Sequence, residues 1–149
     1  MDDHLAMRFP AIAFSQNLVN TLASNSALRR TTRVGLKKGY YDALILVDST
    51  GKRFDISGAQ IVRTIPRPFS FAGLFDVLSG DGYPEVEPIV SAKSPTTISL
   101  NEVKDRILDS FETERHSWEP IGDIREIRDR IQRAISLEQV FSILRELHV

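Results

Sequence analysis

Residues 39–65, GYYDALILVDSTGKRFDISGAQIVRTI, decide the fold that the sequence predicts. Ala43 to Val47 form a short apolar run rich in β-branched residues, which is typical of a strand buried on both faces. Asp48 to Gly51 supply a turn, because Asp and Ser side chains bond nearby backbone and glycine accepts a positive φ. Residues 53–56 then alternate polar and apolar, which predicts a half-exposed partner strand with Phe54 and Ile56 inward.

A third strand is predicted directly after this hairpin. Ser57-Gly58 indicates a second turn, and residues 60–65 alternate so that Gln60, Val62 and Thr64 share one face of the strand. Pro66 and Pro68 end it, since neither residue can donate a hydrogen bond to a neighbouring strand. The sequence therefore predicts an antiparallel meander around residues 40–65.

The C-terminal half has the periodicity of helices. Three stretches, about 99–115, 122–135 and 136–147, place apolar residues three and four apart behind a capping residue. The capping pairs are Ser99 with Glu102, Asp123 with Glu126, and Ser136 with Gln139. The predicted inward side chains are Leu100, Val103, Ile107, Leu108 and Phe111 in the first helix, Ile124, Ile127, Ile131 and Ile135 in the second, and Leu137, Val140, Phe141, Leu144 and Leu147 in the third.

The remaining segments give shorter elements. Residues 9–14 suggest a strand, Ser15–Ala23 a helix with Ser15 as N-cap, and residues 87–92 a further strand. Residues 69–78 carry phenylalanines and leucines at helical spacing, which favours a core helix. The expected architecture is one α+β domain over residues 1–149, with an antiparallel sheet of four to six strands, strands mainly in the N-terminal half and helices mainly in the C-terminal half.

Composition narrows the functional classes. A chain of 149 residues is long enough to bury a core without disulfides or metals, and a net charge of −1 gives no overall field toward nucleic acid or membranes. The sequence has no cysteine, which excludes disulfides and thiolate chemistry. No apolar run approaches the roughly 20 residues of a membrane span, and the opening MDDHLAMRFPAIAF is a poor secretory signal. A cytoplasmic protein is expected.

One candidate contact surface is the acidic stretch SGDGYPEVEP, residues 79–88. Its glycines and prolines predict an irregular surface loop. The loop is interpreted either as a solvated connector or as an acidic, tyrosine-bearing surface for a basic protein partner. The predicted partner-binding residues are Asp81, Tyr83, Glu85, Glu87 and, at a predicted turn further on, Trp118.

A second candidate surface lies in residues 27–38, which contain no acidic residue. Thr31, Thr32 and Val34 favour a strand here. A basic stripe on a sheet can bind phosphate or a nucleic-acid backbone, although an edge strand kept soluble by charge has the same pattern and is the commoner case. The candidate anion-binding residues are Arg29, Arg30, Arg33, Lys37, Lys38 and Tyr40.

The sequence contains no complete signature of catalysis. Asp48 to Gly51 matches the D-x-x-G string of GTPases, but the phosphate-binding G-x-x-x-x-G-K-[ST] is missing from the chain. The three histidines have no metal-ligand spacing. An enzyme would require His116 and the Glu85/Glu87 pair to line one pocket. The prediction is a protein that is not an enzyme and that has no metal site and no cofactor.

Two stretches carry a resemblance to a known class of proteins. Leu44 to Phe54 (LILVDSTGKRF) and Ser99 to Lys104 (SLNEVK) resemble segments of small bacterial immunity proteins, which neutralise toxins of polymorphic and contact-dependent inhibition systems. The resemblance implies a cytoplasmic, non-enzymatic protein that occludes a toxin's active site, with residues 81–87 as a contact for a basic nuclease. The leading prediction is thus a protein-binding module of immunity type, and the alternative is a nucleic-acid or anionic-ligand binder using the basic segment. The oligomeric state is left open.

Overall fold

The computed structural model describes residues 6–30, 36–65, 83–90 and 95–149. They form an α+β fold with an antiparallel sheet in the order β2-β1-β3-β4-β5, and a short β6 pairs with the start of β4. The fold class, the number of strands and the C-terminal grouping of the helices are confirmed. The elements that lie within these residues are β1 (Ala11–Ser15), β2 (Leu18–Leu22), α1 (Asn25–Arg29), β3 (Leu44–Asp48), β4 (Lys52–Ile65), β5 (Tyr83–Val90), β6 (Thr96–Thr97), α2 (Leu100–Thr113), α3 (Arg115–Trp118), α4 (Ile124–Arg133) and α5 (Leu137–Glu146).

The hairpin of β3 and β4 is confirmed as the centre of the sheet. Leu46 pairs with Phe54 and Leu44 with Ile56, and all four side chains are buried on one face, here called the inner face. The intervening side chains of β3 pack on the opposite, outer face, where Val47 is fully buried. The apolar run of β3 is therefore buried on both sides, as its composition predicts.

The helix predicted over Ser15–Ala23 is wrong, because β1 and β2 form a hairpin there. Gln16 and Asn17 connect the strands with φ angles of 49° and 71°. A two-residue turn with both residues at positive φ matches the twist of the flanking strands, and asparagine tolerates that region better than most residues. The strand predicted at residues 9–14 is confirmed as β1, whose five residues are all buried.

The turn predicted at Ser57-Gly58 is also wrong. β4 continues without reversal from Lys52 to Ile65, and the register shifts between Ile56 and Gly58, which marks a β-bulge. The third strand of the predicted meander is thus the second half of β4. It stays extended because β5 supplies its partner, and the Ser57 hydroxyl donates to the carbonyl of Ile89 at 2.9 Å.

The acidic stretch is a strand and not a loop over the residues that the structure describes. β5 begins at Tyr83 rather than at the predicted residue 87, and it pairs with β4 along residues 83–90. Pro84 and Pro88, which suggest a loop in the sequence, are tolerated because β5 is the last strand in the order of the sheet.

A short helix closes the inner face. The strand predicted over residues 27–38 is wrong at its start, since residues 25–29 form α1 with Ser24 as N-cap. Leu28 is buried among the inner-face side chains, and its carbonyl accepts the Tyr41 hydroxyl at 2.5 Å. α1 contacts both β2 and β5, and Arg30 forms an isolated bridge with Glu85. α1 therefore contacts the two strands at opposite ends of the sheet order, a contact that the sequence pattern did not reveal.

The C-terminal helices cover the outer face of β1, β2 and β3. All three predicted N-caps are confirmed, since the side chains of Ser99, Asp123 and Ser136 each accept a backbone N–H of the first turn. The predicted inward positions are buried or partly buried, with one exception. Ile135 is 81% exposed, because α4 ends at Arg133 and the chain becomes extended at Ala134. The next position therefore no longer lies on the helical stripe.

No helix among the described residues is long and apolar enough to cross a membrane. The helix predicted at residues 69–78, and the candidate residues Arg33 and Asp81, lie outside the described ranges.

Candidate binding surface

The second half of β4 and all of β5 form a two-stranded ribbon, residues 57–65 paired with 83–90. The C-terminal helices pack on β1, β2 and β3, whereas α1 contacts β5. Three of the five exposed large apolar side chains in the described residues belong to this ribbon, namely Ile61 at 50%, Val62 at 52% and Ile89 at 40% exposure. The ribbon is thus where the described part of the protein concentrates apolar groups in contact with solvent.

Two irregularities in β4 determine which way its side chains point. After the bulge at Ser57, Gly58 pairs with Ile89 and Gln60 with Glu87, so these side chains lie toward the outer face. A second shift between Ile61 and Arg63 brings Arg63 opposite Glu85 on that same face. The predicted grouping of Gln60, Val62 and Thr64 on one face is therefore wrong, because it assumed an unbroken alternation.

These positions define the ribbon surface, a name used below for one set of residues. The set comprises Gln60, Arg63, Glu85, Glu87 and Ile89 on the outer face, Val62 at the second shift, and Ile61, which pairs with Val86 and is exposed on the opposite face of the ribbon. A shallow groove of about 370 Å³ runs along part of it and is lined by Gln60, Glu87, Pro88, Ile89 and Val90.

An ion network occupies one end of the ribbon surface. The Arg63 Nε donates to the Glu85 Oε2, and an Arg29 terminal nitrogen lies 3.5 Å from the Glu85 Oε1. The hydrogen bond from Arg63 lowers the pKa of Glu85, with smaller contributions from the charges of Arg63, Arg29 and Arg30. Because α1 delivers Arg29 and Arg30, the network joins the ribbon to the segment that closes the inner face.

Within this network the carboxylate of Glu85 is largely shielded from solvent, whereas the guanidinium of Arg63 is exposed. The Glu85 side chain is 15% exposed and the Arg63 side chain is 68% exposed. An approaching molecule therefore meets the guanidinium group before the carboxylate. The charge of Glu85, a predicted partner contact, is thus paired within the chain.

The other predicted partner-binding residues within the described ranges lie in different parts of the fold. The Tyr83 backbone starts β5 opposite Ile65, and Glu87 belongs to the ribbon surface. Trp118 is a core residue, so its assignment to a contact surface is wrong. Its indole N–H donates to the Ser110 hydroxyl at 3.0 Å, and its ring meets Phe111 edge-on at a centroid distance of 4.6 Å.

The predicted anion-binding residues do not form one described stripe. Arg29 and Arg30 lie at the end of α1 beside Glu85. Lys37 and Lys38 are exposed, and the carbonyl of Lys38 accepts a hydrogen bond from the Gln16 side chain at 2.8 Å. Tyr40 is half-buried against Tyr41, and burial raises the pKa of its hydroxyl although a hydrogen bond with Asn20 opposes the shift. Tyr40 is thus a packing residue rather than an open stacking platform.

The residues weighed for catalysis do not converge. His116 is an exposed residue of α3, and its nearest charged partner is Glu114, at 3.5 Å. The groove beside Glu87 is lined by residues of β4 and β5, and His116 is not among them. No group of three or more His, Asp or Glu side chains in the described ranges is arranged to hold a metal ion.

Sequence reasoning missed the aliphatic members of the ribbon surface. Ile61 and Val62 are adjacent, and two neighbouring large apolar residues cannot both face one core in a regular strand. That break in alternation was the available signal for a bulge with an exposed side chain. Ile89 gave no signal, because its exposure depends on where the helices pack.

Comparisons of this chain with protein-family models, with curated proteins and with solved structures found no match.

Proposed function

We propose that the protein is a non-enzymatic protein-binding module of immunity type, which binds a toxin in the cytoplasm and blocks its active site. The observation that carries the proposal is that Ile61, Val62 and Ile89 are exposed within one short ribbon that the C-terminal helices do not cover. Several exposed aliphatic groups with polar neighbours on one element favour a protein contact site. The resemblance of residues 44–54 and 99–104 to immunity proteins supports the assignment to that class.

The ribbon favours recognition through side chains rather than through strand addition. Pro84 and Pro88 lie in β5, the last strand of the sheet order, and each removes one backbone donor. Prolines on an edge strand hinder the pairing of a further strand. A partner is therefore expected to pack on the aliphatic and charged groups of the ribbon surface.

The test is to mix the purified protein with the product of the coding sequence next to its own. Size-exclusion chromatography with light scattering should show a stoichiometric complex, and a toxin activity of the partner should be inhibited without turnover. Ile61→Asp and Ile89→Asp should weaken the complex by about tenfold or more, since contact residues at a binding centre cost over about 1 kcal/mol when disrupted.

The matched control is Ile135→Asp, which places the same charge at an exposed isoleucine far along the chain between α4 and α5. It should leave the complex unchanged. Equal effects of all three variants, or a toxin that stays active in a stable excess of this protein, would contradict the proposal.

A second candidate is the binding of nucleic acid or another anion. The observation in its favour is that Lys37 and Lys38 are exposed and that Arg29 and Arg30 lie together at the end of α1. This function requires affinity for an oligonucleotide that falls steeply with salt, because counterions are released from the phosphates. A gel shift that shows no binding at low salt would remove it.

A further inference from the structure

The charges of the ribbon surface indicate which kind of protein segment it would bind, and this inference rests on the proposed function. Arg63, Arg29 and Arg30 surround the single carboxylate of Glu85. The Glu85 side chain is 15% exposed and those of Arg29 and Arg63 are 31% and 68% exposed, so the groups of this network that reach solvent are cationic.

Glu85 also fixes the direction of the Arg63 guanidinium. Its oxygen accepts from Nε, which is one edge of the planar group. A guanidinium held in this way binds a second carboxylate with less loss of side-chain freedom, and its planar fork matches carboxylate geometry. Arg63 is therefore positioned to receive an acidic group from outside.

The neighbours of Arg63 favour a protein over a nucleic acid. Val62 precedes it directly and is half exposed, so an aliphatic side chain adjoins the cationic group. Glu85 pairs with both Arg63 and Arg29 and so neutralises part of their charge. A continuous phosphate backbone gains its affinity from many open cations, whereas a protein segment can place a single acidic group against Arg63.

We infer that the ribbon surface binds a partner segment in which carboxylates lie beside aliphatic side chains. The contact segment of this partner is acidic, whereas the resemblance to immunity proteins implied a basic nuclease as the partner.

The experiment uses the full chain and two fluorescein-labelled peptides of about ten residues, the length of a long strand. One peptide alternates Glu with Val and the other alternates Lys with Val, so that both have the same apolar content. Fluorescence anisotropy at about 0.1 M salt should show at least about tenfold tighter binding of the Glu/Val peptide. The preference should shrink at about 1 M salt, where the screening length is only about 3 Å.

Arg63→Gln should remove most of this preference, and Arg63→Lys should restore only part of it, because lysine keeps the charge without the fork. The matched control is Arg133→Gln, an exposed arginine of α4 that pairs with Asp129 at 2.9 Å. This control should bind both peptides as the unaltered protein does. Thermal melts of all variants verify that the fold is retained.

Three outcomes overturn the inference: equal binding of both peptides, binding of neither at millimolar concentration, or a preference that Arg63→Gln leaves intact. Tighter binding of a single-stranded oligonucleotide of the same charge would favour the nucleic-acid candidate instead. If both peptides bind equally and Ile61→Asp weakens both, the protein-binding function stands without acidic selectivity. If the Glu/Val preference is found but no neighbour-encoded partner binds, the inference stands and the immunity function fails.

Discussion

Replacing Asp48 by asparagine tests whether this buried carboxylate holds the central hairpin together. Asp48 is fully buried at the end of β3. Its Oδ1 accepts the Thr50 N–H at 2.8 Å, the Thr50 hydroxyl at 2.6 Å and the Lys52 N–H at 3.0 Å, and its Oδ2 accepts the Arg8 N–H at 3.2 Å. In Asp48→Asn the amide NH₂ would face the Arg8 donor, and the other three bonds would lose their charge.

Hydrogen bonds to a charged group contribute about 1.5–3 kcal/mol each and neutral ones about 1 kcal/mol. At the low end of these ranges, weakening three bonds by about 0.5 kcal/mol each and losing the fourth at about 1.5 kcal/mol costs about 3 kcal/mol in the free energy of unfolding. With a urea slope of about 2 kcal/mol per M, the midpoint should fall by about 1.5 M at pH 7. The matched control Asp55→Asn should cost under about 1 kcal/mol, because Asp55 is 39% exposed and pairs with Arg53 at the surface.

The pH dependence gives a second readout of the same site. Burial alone would raise the pKa of Asp48, but the hydrogen bonds from Thr50, Lys52 and Arg8 outweigh it and lower the pKa. A lowered folded pKa stabilises the protein fully above the unfolded value of about 3.9, and this contribution is lost as the pH falls further toward the folded value. The gap between the unaltered protein and Asp48→Asn should therefore narrow below about pH 4. A gap under about 1 kcal/mol at pH 7, or one that widens in acid, would refute the reasoning.

Two further substitutions test the closure of each face of the sheet by urea unfolding. Tyr41→Phe removes the buried hydroxyl that donates to the Leu28 carbonyl and should cost about 1–2 kcal/mol in the free energy of unfolding. Because burial raises the pKa of Tyr41, the stabilisation by its hydroxyl is full below the unfolded pKa of about 10 and is lost as the pH rises toward the folded value. The stability difference between the unaltered protein and Tyr41→Phe should therefore shrink in alkali. Lys104→Met keeps the aliphatic part of the side chain but removes the ammonium that donates to the carbonyls of Gln132 and Ala134 at 2.6 and 2.9 Å. It should cost about 1 kcal/mol in the free energy of unfolding. An unchanged urea midpoint would show that water replaces these bonds.

The elements that could be predicted from sequence are those whose signal is local. The first residues of α2, α4 and α5 follow from side chains that cap the N-terminus of their own helix, such as Ser99 and Ser136. The apolar run of β3 and the turn after it are likewise local, since Asp48 bonds to backbone within four residues. Such patterns need no knowledge of the remaining chain.

The errors came from segments whose structure depends on distant partners. Ser15–Ala23 has helical spacing of leucine and valine, but β1 pairs with β3 on its other side and draws the segment into the sheet. The stretch at residues 83–90 looks like a loop until β4 is available to pair with it. Trp118 illustrates the same limit for function, because only the position of Ser110 shows that its indole is satisfied in the core.

The ribbon surface exists because of the bulges in β4. Without the bulge at Ser57, β4 would alternate regularly from Ile56 onward. Gly58 and Gln60 would then point toward the inner core, as Ile56 does. Ala59 and Ile61 would face outward. The bulge reverses this, so that Ala59 packs on the inner cluster. The second shift then places Arg63 on the face of Glu85 and leaves Val62 exposed. The first irregularity therefore serves the core, and the second adds an unpaired Val62 at the surface. Deletion of Val62 restores the regular alternation with Arg63 still opposite Glu85, so it should keep the Arg63–Glu85 contact and the inner core while it removes one exposed aliphatic side chain.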